Sequence, residues 1–196
     1  MEKYENVLRY FKSYGGILTR RQLNEFGVNY YALSKLLSEG YVESIKRGIY
    51  KLKNKDVNQF YEVQKIVSKG VFSLHSSALF FNLSTYIPSE YHIAIPRKNK
   101  VVLPNYPPIN LYYWEKDQYS LGQVKIKKDD IEIVTYNKEK TVCDFVKFRN
   151  RVGFDLTKEV LKEYLKLEDR NISLLVEYSK KLKIRSVLDQ YLEVLI

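Results

Sequence analysis

Between Glu2 and Leu52 the sequence packs three apolar stripes of helical spacing, each ended by glycine, and then a two-armed hairpin. So many stops in about fifty residues exclude long helices and leave short ones gathered around a small sheet. Tyr4, Val7, Leu8 and Phe11 line one face of a segment from about Glu2 to Tyr14, closed by Gly15-Gly16. "TRRQ" then has the form of a capping box, in which the Thr19 hydroxyl receives the backbone N–H of Gln22 and the Gln22 side chain returns to Thr19. Leu23 and Phe26 face inward before Gly27. Asn29 caps a third helix with Leu33, Leu36 and Leu37 inside, and Gly40 ends it. "YVESIKRGIYKL", Tyr41 to Leu52, follows as two alternating arms joined at Lys46-Arg47-Gly48, where glycine supplies the positive φ of a tight turn.

Helix, short helix, turn, helix and hairpin in this order form a winged helix-turn-helix. In that motif the third helix enters the major groove and the hairpin reaches a neighbouring groove or the phosphates. The charge distribution agrees. The chain carries +10 at neutral pH, and residues 1–55 hold eleven Lys/Arg against five Asp/Glu, a surplus of six. On the third helix, Tyr30, Tyr31, Ser34, Lys35 and Ser38 lie opposite the leucines and offer hydrogen bonds to bases or phosphates. One of the two tyrosines is as well suited to the core as to the groove. Arg20 and Arg21, after Thr19, open the second helix, where a phosphate would also meet backbone N–H groups. Lys46 and Arg47 occupy the wing tip. Each of these cations taken singly is equally a solvated surface residue; together they define the candidate DNA-binding set.

The polar run "KNKDVN", residues 53–58, reads as a linker between a DNA-binding domain, 1–55, and a second domain, 59–196. The second has a strand-containing part over about 59–138 and a helical part over about 139–196, so the whole is an α+β protein ending in a helical lobe. "EYHIAIP" is an apolar strand, and "QVKIKKDDIEIVTY" a hairpin bending at Lys128-Asp129-Asp130. Thr141 is placed to cap "VCDFVKFRNRV", with Asp144 as a helix-start carboxylate. Asp155 opens the next helix and Asn171 caps the one after. The closing helices carry a basic succession: Lys147, Arg149, Arg151, Lys158, Lys162, Lys166, Lys180, Lys181, Lys183 and Arg185.

Catalytic chemistry has little to stand on. The single Cys143 allows no internal disulfide and no cysteine-based zinc cluster, and it falls on an inward helix position. His75 and His92 sit in no local ligand motif. A Gly-rich phosphate loop is missing, and Glu132 is not followed by the lysine that a Glu-x-Lys nuclease strand requires. No cofactor is expected. "MEKYENVLRY" lacks the apolar core of a signal peptide, and "VFSLHSSALFFNL" is too short for a membrane span, so the expected location is cytoplasmic.

The stretches "YGGILTRRQLNEFGVNYYALSKLLSEGYVESIKRGIYKL", "FSLHSSALFFNLS", "YHIAIP" and "YNKEKTVCDFVKFRNRVGFDLTKEVLKEYL" resemble the AbiEi family of antitoxins from bacterial type IV toxin-antitoxin and abortive-infection systems. "RGIY" and "EKTVCD" are the most distinctive pieces. The resemblance implies a non-enzymatic protein whose winged helix represses its own operon at inverted repeats in double-stranded operator DNA. It further implies a C-terminal domain that counteracts a cognate nucleotidyltransferase-like toxin encoded alongside, by direct binding or indirectly. Two other readings of the residues are a metal-dependent nuclease targeted by the winged helix, and a transcription factor whose second half, rich in aromatics such as Tyr112, Tyr113 and Trp114, binds a small effector.

Overall fold

The computed structural model describes residues 2–128 and 131–195. Contacts divide the chain into two compact units: residues 1–68 with 101–107, and residues 69–100 with 108–196.

In the first unit, α1 (Glu2–Ser13) leads into a short strand β1 (Ile17–Thr19), then α2 (Arg20–Glu25), α3 (Tyr30–Ser38), β2 (Val42–Lys46), β3 (Ile49–Leu52) and α4 (Gln59–Ile66). The three strands form an antiparallel sheet in the order β1-β3-β2. Its core joins Phe11 of α1, Leu23 of α2, Leu33 and Leu36 of α3, and Leu18, Val42 and Leu52 of the sheet. Leu37 is half-buried at the margin. Strand β1 is absent from the sequence reading, because three residues are too few to display a period of two.

The division differs from the boundary expected at 53–58. Those residues join β3 to α4 inside the first unit, where Val57 packs with Ile17 and Ile49, and Asn58 caps α4. Lys51 of β3 lies 3.3 Å from Glu43 and 3.4 Å from the buried Glu62 of α4. Burial alone would lower its pKa, but the two carboxylates prevail and raise it. A polar composition therefore marked a loop and not a domain boundary.

The second unit contains β4 (Val71–Phe72), α5 (Leu74–Phe80), β5 (Tyr91–Pro96), β6 (Ile109–Trp114), α6 (Lys116–Ser120), β7 (Gln123–Lys128), β8 (Ile131–Tyr136), α7 (Lys138–Lys147), α8 (Arg149–Val152), α9 (Phe154–Lys166), α10 (Ile172–Lys181) and α11 (Arg185–Leu195). Its mixed sheet runs β6-β5-β4-β8-β7, with β5–β6 and β4–β8 parallel and the other pairs antiparallel. The hairpin β7–β8 forms as expected. Asp129 and Asp130 of its expected bend lie outside the described residues.

Helix α7 is the hub of this unit, packing on α5, α9, α10 and α11. Glu139 to Val146 are buried without a break. A helix enclosed on all sides can keep charge only where each charge is answered. Lys140 Nζ donates to both Asp144 oxygens at 2.6 Å, with both side chains fully buried. Glu139 receives the Tyr164 hydroxyl at 3.1 Å, and Thr141 shares a 2.6 Å hydrogen bond with Ser77. Two sequence assignments are corrected here. The cap is Asn137, whose side chain accepts from Lys140 N, while Thr141 lies one turn inside; and Asp144 is a buried ion-pair partner, not a helix-start carboxylate. Asp155 stands in the first turn of α9, behind Gly153 and Phe154. Asn171 caps α10, accepting from Leu174 N, and Cys143 is buried in the core.

Candidate DNA-binding surface

Each element of the motif is anchored by bonds that leave one face unused. The capping box at α2 closes in both directions: Gln22 N donates to Thr19 Oγ1 at 3.3 Å, and Thr19 N donates to Gln22 Oε1 at 3.0 Å. Thr19 is therefore half-buried and occupied with the helix start. Arg20 N donates to Gly48 O at 2.8 Å, which ties the first residue of α2 to the wing tip. The Arg20 side chain is half-buried, and its Nη1 has no hydrogen-bond partner. Arg21 is exposed and pairs with Glu25 one turn on, at 2.9 Å.

At α3 the Asn29 side chain accepts from Ala32 N at 2.8 Å, and Leu33 and Leu36 fix the inner face. The outer face presents Tyr30, 76% exposed, and Tyr31, 65% exposed, so neither tyrosine packs in the core. Ser34, Lys35 and Ser38 are exposed beside them, with the Ser38 hydroxyl donating to Lys35 O at 3.0 Å. Side by side at the start of the helix, these two tyrosines present ring faces and hydroxyls to whatever this face meets.

The wing turns at Gly48, whose φ of +83° is open to glycine and strained for a residue with a Cβ. Arg47 is exposed at the tip. Lys46 is not: its amine donates to Ile66 O at 2.8 Å and to Val102 O at 3.2 Å, and partial burial lowers its pKa. Of the ten residues singled out by sequence, the structure gathers Tyr30, Tyr31, Ser34, Lys35 and Ser38 on one face and leaves Arg21 and Arg47 open. Thr19, Arg20 and Lys46 are occupied, at least in part, with holding the motif together. Sequence reasoning missed the Arg20–Gly48 link, because a backbone-to-backbone bond leaves no side-chain signal.

In the second unit, folding brings together two histidines that the sequence separates. The His75 and His92 rings meet edge to face at 4.4 Å, and His92 Nδ1 lies 2.8 Å from the Tyr112 hydroxyl. Burial lowers both pKa values, that of His92 to about 4, so both rings are neutral at physiological pH. Among the described residues no group of three or more His, Cys, Asp or Glu side chains is placed to hold a metal ion. No helix among them is long and apolar enough to cross a membrane.

Residues 5–53 match the family described as "Transcriptional regulator, AbiEi antitoxin". The match covers most of α1 and runs through β3, the part of the chain that carries every candidate DNA-binding residue. No curated protein matches the chain.

Proposed function

We propose, from the match of residues 5–53 to the family of AbiEi antitoxin transcriptional regulators, that this protein is the antitoxin of a type IV toxin-antitoxin pair and the repressor of its own operon. One observation carries the reading: the outer face of α3 holds two exposed tyrosines, two serines and a lysine, the wing tip holds an exposed arginine, and the inner face of α3 is locked into the core. The tyrosine and serine hydroxyls and the lysine amine suit base edges, and Arg21 and Arg47 suit flanking phosphates. The partner is double-stranded operator DNA with inverted repeats, read by two copies of the motif.

The second unit, in this reading, carries no catalysis. It counteracts a nucleotidyltransferase-like toxin in the cytoplasm, and the cationic succession on its closing helices is the surface for that role. The test joins a promoter reporter to a rescue assay. Wild-type protein should repress a reporter driven by the DNA upstream of its own gene, and should restore growth when the adjacent gene is induced. Ser34→Ala with Lys35→Ala should release the reporter while growth rescue persists. Undiminished repression by that double variant would remove α3 from the DNA interface, and failure of the wild-type protein to rescue would remove the antitoxin role.

A further inference from the structure

The second unit has a cavity of about 580 Å³ between its edge strand and the end of the buried helix. That volume lies within the roughly 300–1,000 Å³ of small-molecule sites. One wall is β6 from Asn110 to Trp114, the other is Lys147, Phe148 and Arg151, and Glu115 and Gln118 complete the lining. Three properties of this lining narrow what can occupy it.

The first is its aromatic character. Tyr112 and Trp114 fall on one side of β6 and meet Phe148, with Trp114 and Phe148 stacked at 6.0 Å and 10° between planes. The second is its hydrogen-bonding edge. Strand β6 pairs only with β5 in the sheet, so its outer backbone groups face no other strand. The buried Trp114 also keeps an indole N–H without an acceptor. A buried donor left unpaired costs about 1–3 kcal/mol, and a ligand acceptor would recover it. The third is charge. Among the described residues Lys147 and Arg151 form no ion pair, whereas the carboxylate of Glu115 is held by Arg97. A neighbouring cavity sharing Glu115, Gln118 and Lys147 adds Lys183, Lys181, which is paired with Glu177 at 2.6 Å, and the carboxylate of Asp117.

Aromatic faces, a strip of backbone donors and acceptors, and cations at the rim match the base, base edge and phosphates of one ligand class. We infer that this cavity binds a nucleoside triphosphate, with the base against β6 and Phe148 and the phosphates toward Lys147 and Arg151.

Trp114 is the chain's single tryptophan, so its fluorescence reports on this cavity alone. Titration of the full-length protein with ATP, GTP, CTP and UTP should give a saturable change in emission with at least one of them. Tripolyphosphate alone and the free nucleosides should bind far more weakly. Arg151→Ala and Lys147→Ala should each weaken binding about tenfold, while Lys158→Ala, on α9 and outside the cavity, should not. Melting temperatures of all three variants should stay at the wild-type value, which separates lost binding from lost folding. The inference fails if no nucleotide gives a saturable change, or if the Lys147/Arg151 double variant binds as tightly as wild type. It fails equally if tripolyphosphate binds as tightly as the nucleotides, or if single-stranded RNA binds here and mononucleotides do not.

Discussion

Lys140 and Asp144 show what one buried charge demands of its surroundings. Both side chains are fully enclosed, the amine bonds both carboxylate oxygens at 2.6 Å, and it lies 4.2 Å and 4.3 Å from the ring centres of Trp114 and Tyr136. Burial raises the Asp144 pKa to about 6 against the pull of Lys140, and burial lowers that of Lys140. Neither group is at ease without the other. Asp144→Ala should cost about 3–5 kcal/mol, because it strands the lysine, whereas Lys140→Met with Asp144→Leu should cost much less than twice that. Urea unfolding of the two variants beside wild type measures the difference, and a double variant as unstable as the sum of two such losses would contradict the argument. At the wing the same reasoning separates two adjacent cations. Arg47 is open to solvent and should act as a phosphate contact, so Arg47→Ala should weaken all duplexes alike and lower the salt slope by about one. Lys46 is tethered to two carbonyls, so Lys46→Ala should lower the melting temperature of the first unit as well as its affinity. Affinity measured against salt, beside thermal melts, distinguishes them.

Secondary-structure elements were legible where local signals were dense. The capping box at Thr19, the Asn29 cap and the turn at Gly48 are side-chain and backbone rules spanning four residues or fewer, and all three are present in the fold. The start of α7 was not legible. Asn137 and Thr141, four residues apart, are both residue types that cap helices, and only the folded chain shows the Asn137 side chain accepting from Lys140 N while Thr141 lies one turn inside. The carbonyl partners of Lys46 lie 20 and 56 residues away, beyond the reach of any local pattern. The α7 cap also explains Gly122. Its φ is +71°, its carbonyl receives Asn137 N at 2.8 Å, and a Cβ there would stand 2.7 Å from Lys140 Cβ. Gly122→Ala should therefore destabilise the second unit by about 2 kcal/mol or more, through strain and overlap together. The pairing of α5 with β5 gives a pH response. His92 has a folded pKa near 4 against about 6.5 unfolded, so the unfolded chain binds more protons within that window and stability falls as pH drops through it. His75, Glu90 and Tyr112 face the same ring and share in the response. Melting at pH 7.5 and pH 5 should show a larger drop for wild type than for His92→Gln, and equal drops would refute the assignment.

The two units are not consecutive stretches of the chain. Helix α4 contributes Tyr61 to the packing around Ile17, Ile49 and Val57, so a fragment ending at residue 55 should melt lower than one ending at 68. Circular dichroism of the two fragments tests this, and identical melts would show that α4 is dispensable. Residues 101–107 leave the second unit between β5 and β6, join the first, and return. The Tyr106 hydroxyl accepts from the Gln59 side chain at 2.6 Å, and Val102 O accepts from Lys46. The backbone consequently passes from one unit to the other three times. A gene encoding such a chain cannot exchange its first unit by a single recombination event. A crossover near codon 68 would leave the new module facing an inherited 101–107 segment shaped for its predecessor. The two units of such a protein are bound to diversify together, and under the function proposed above a new operator would have to be acquired by substitutions on the face of α3.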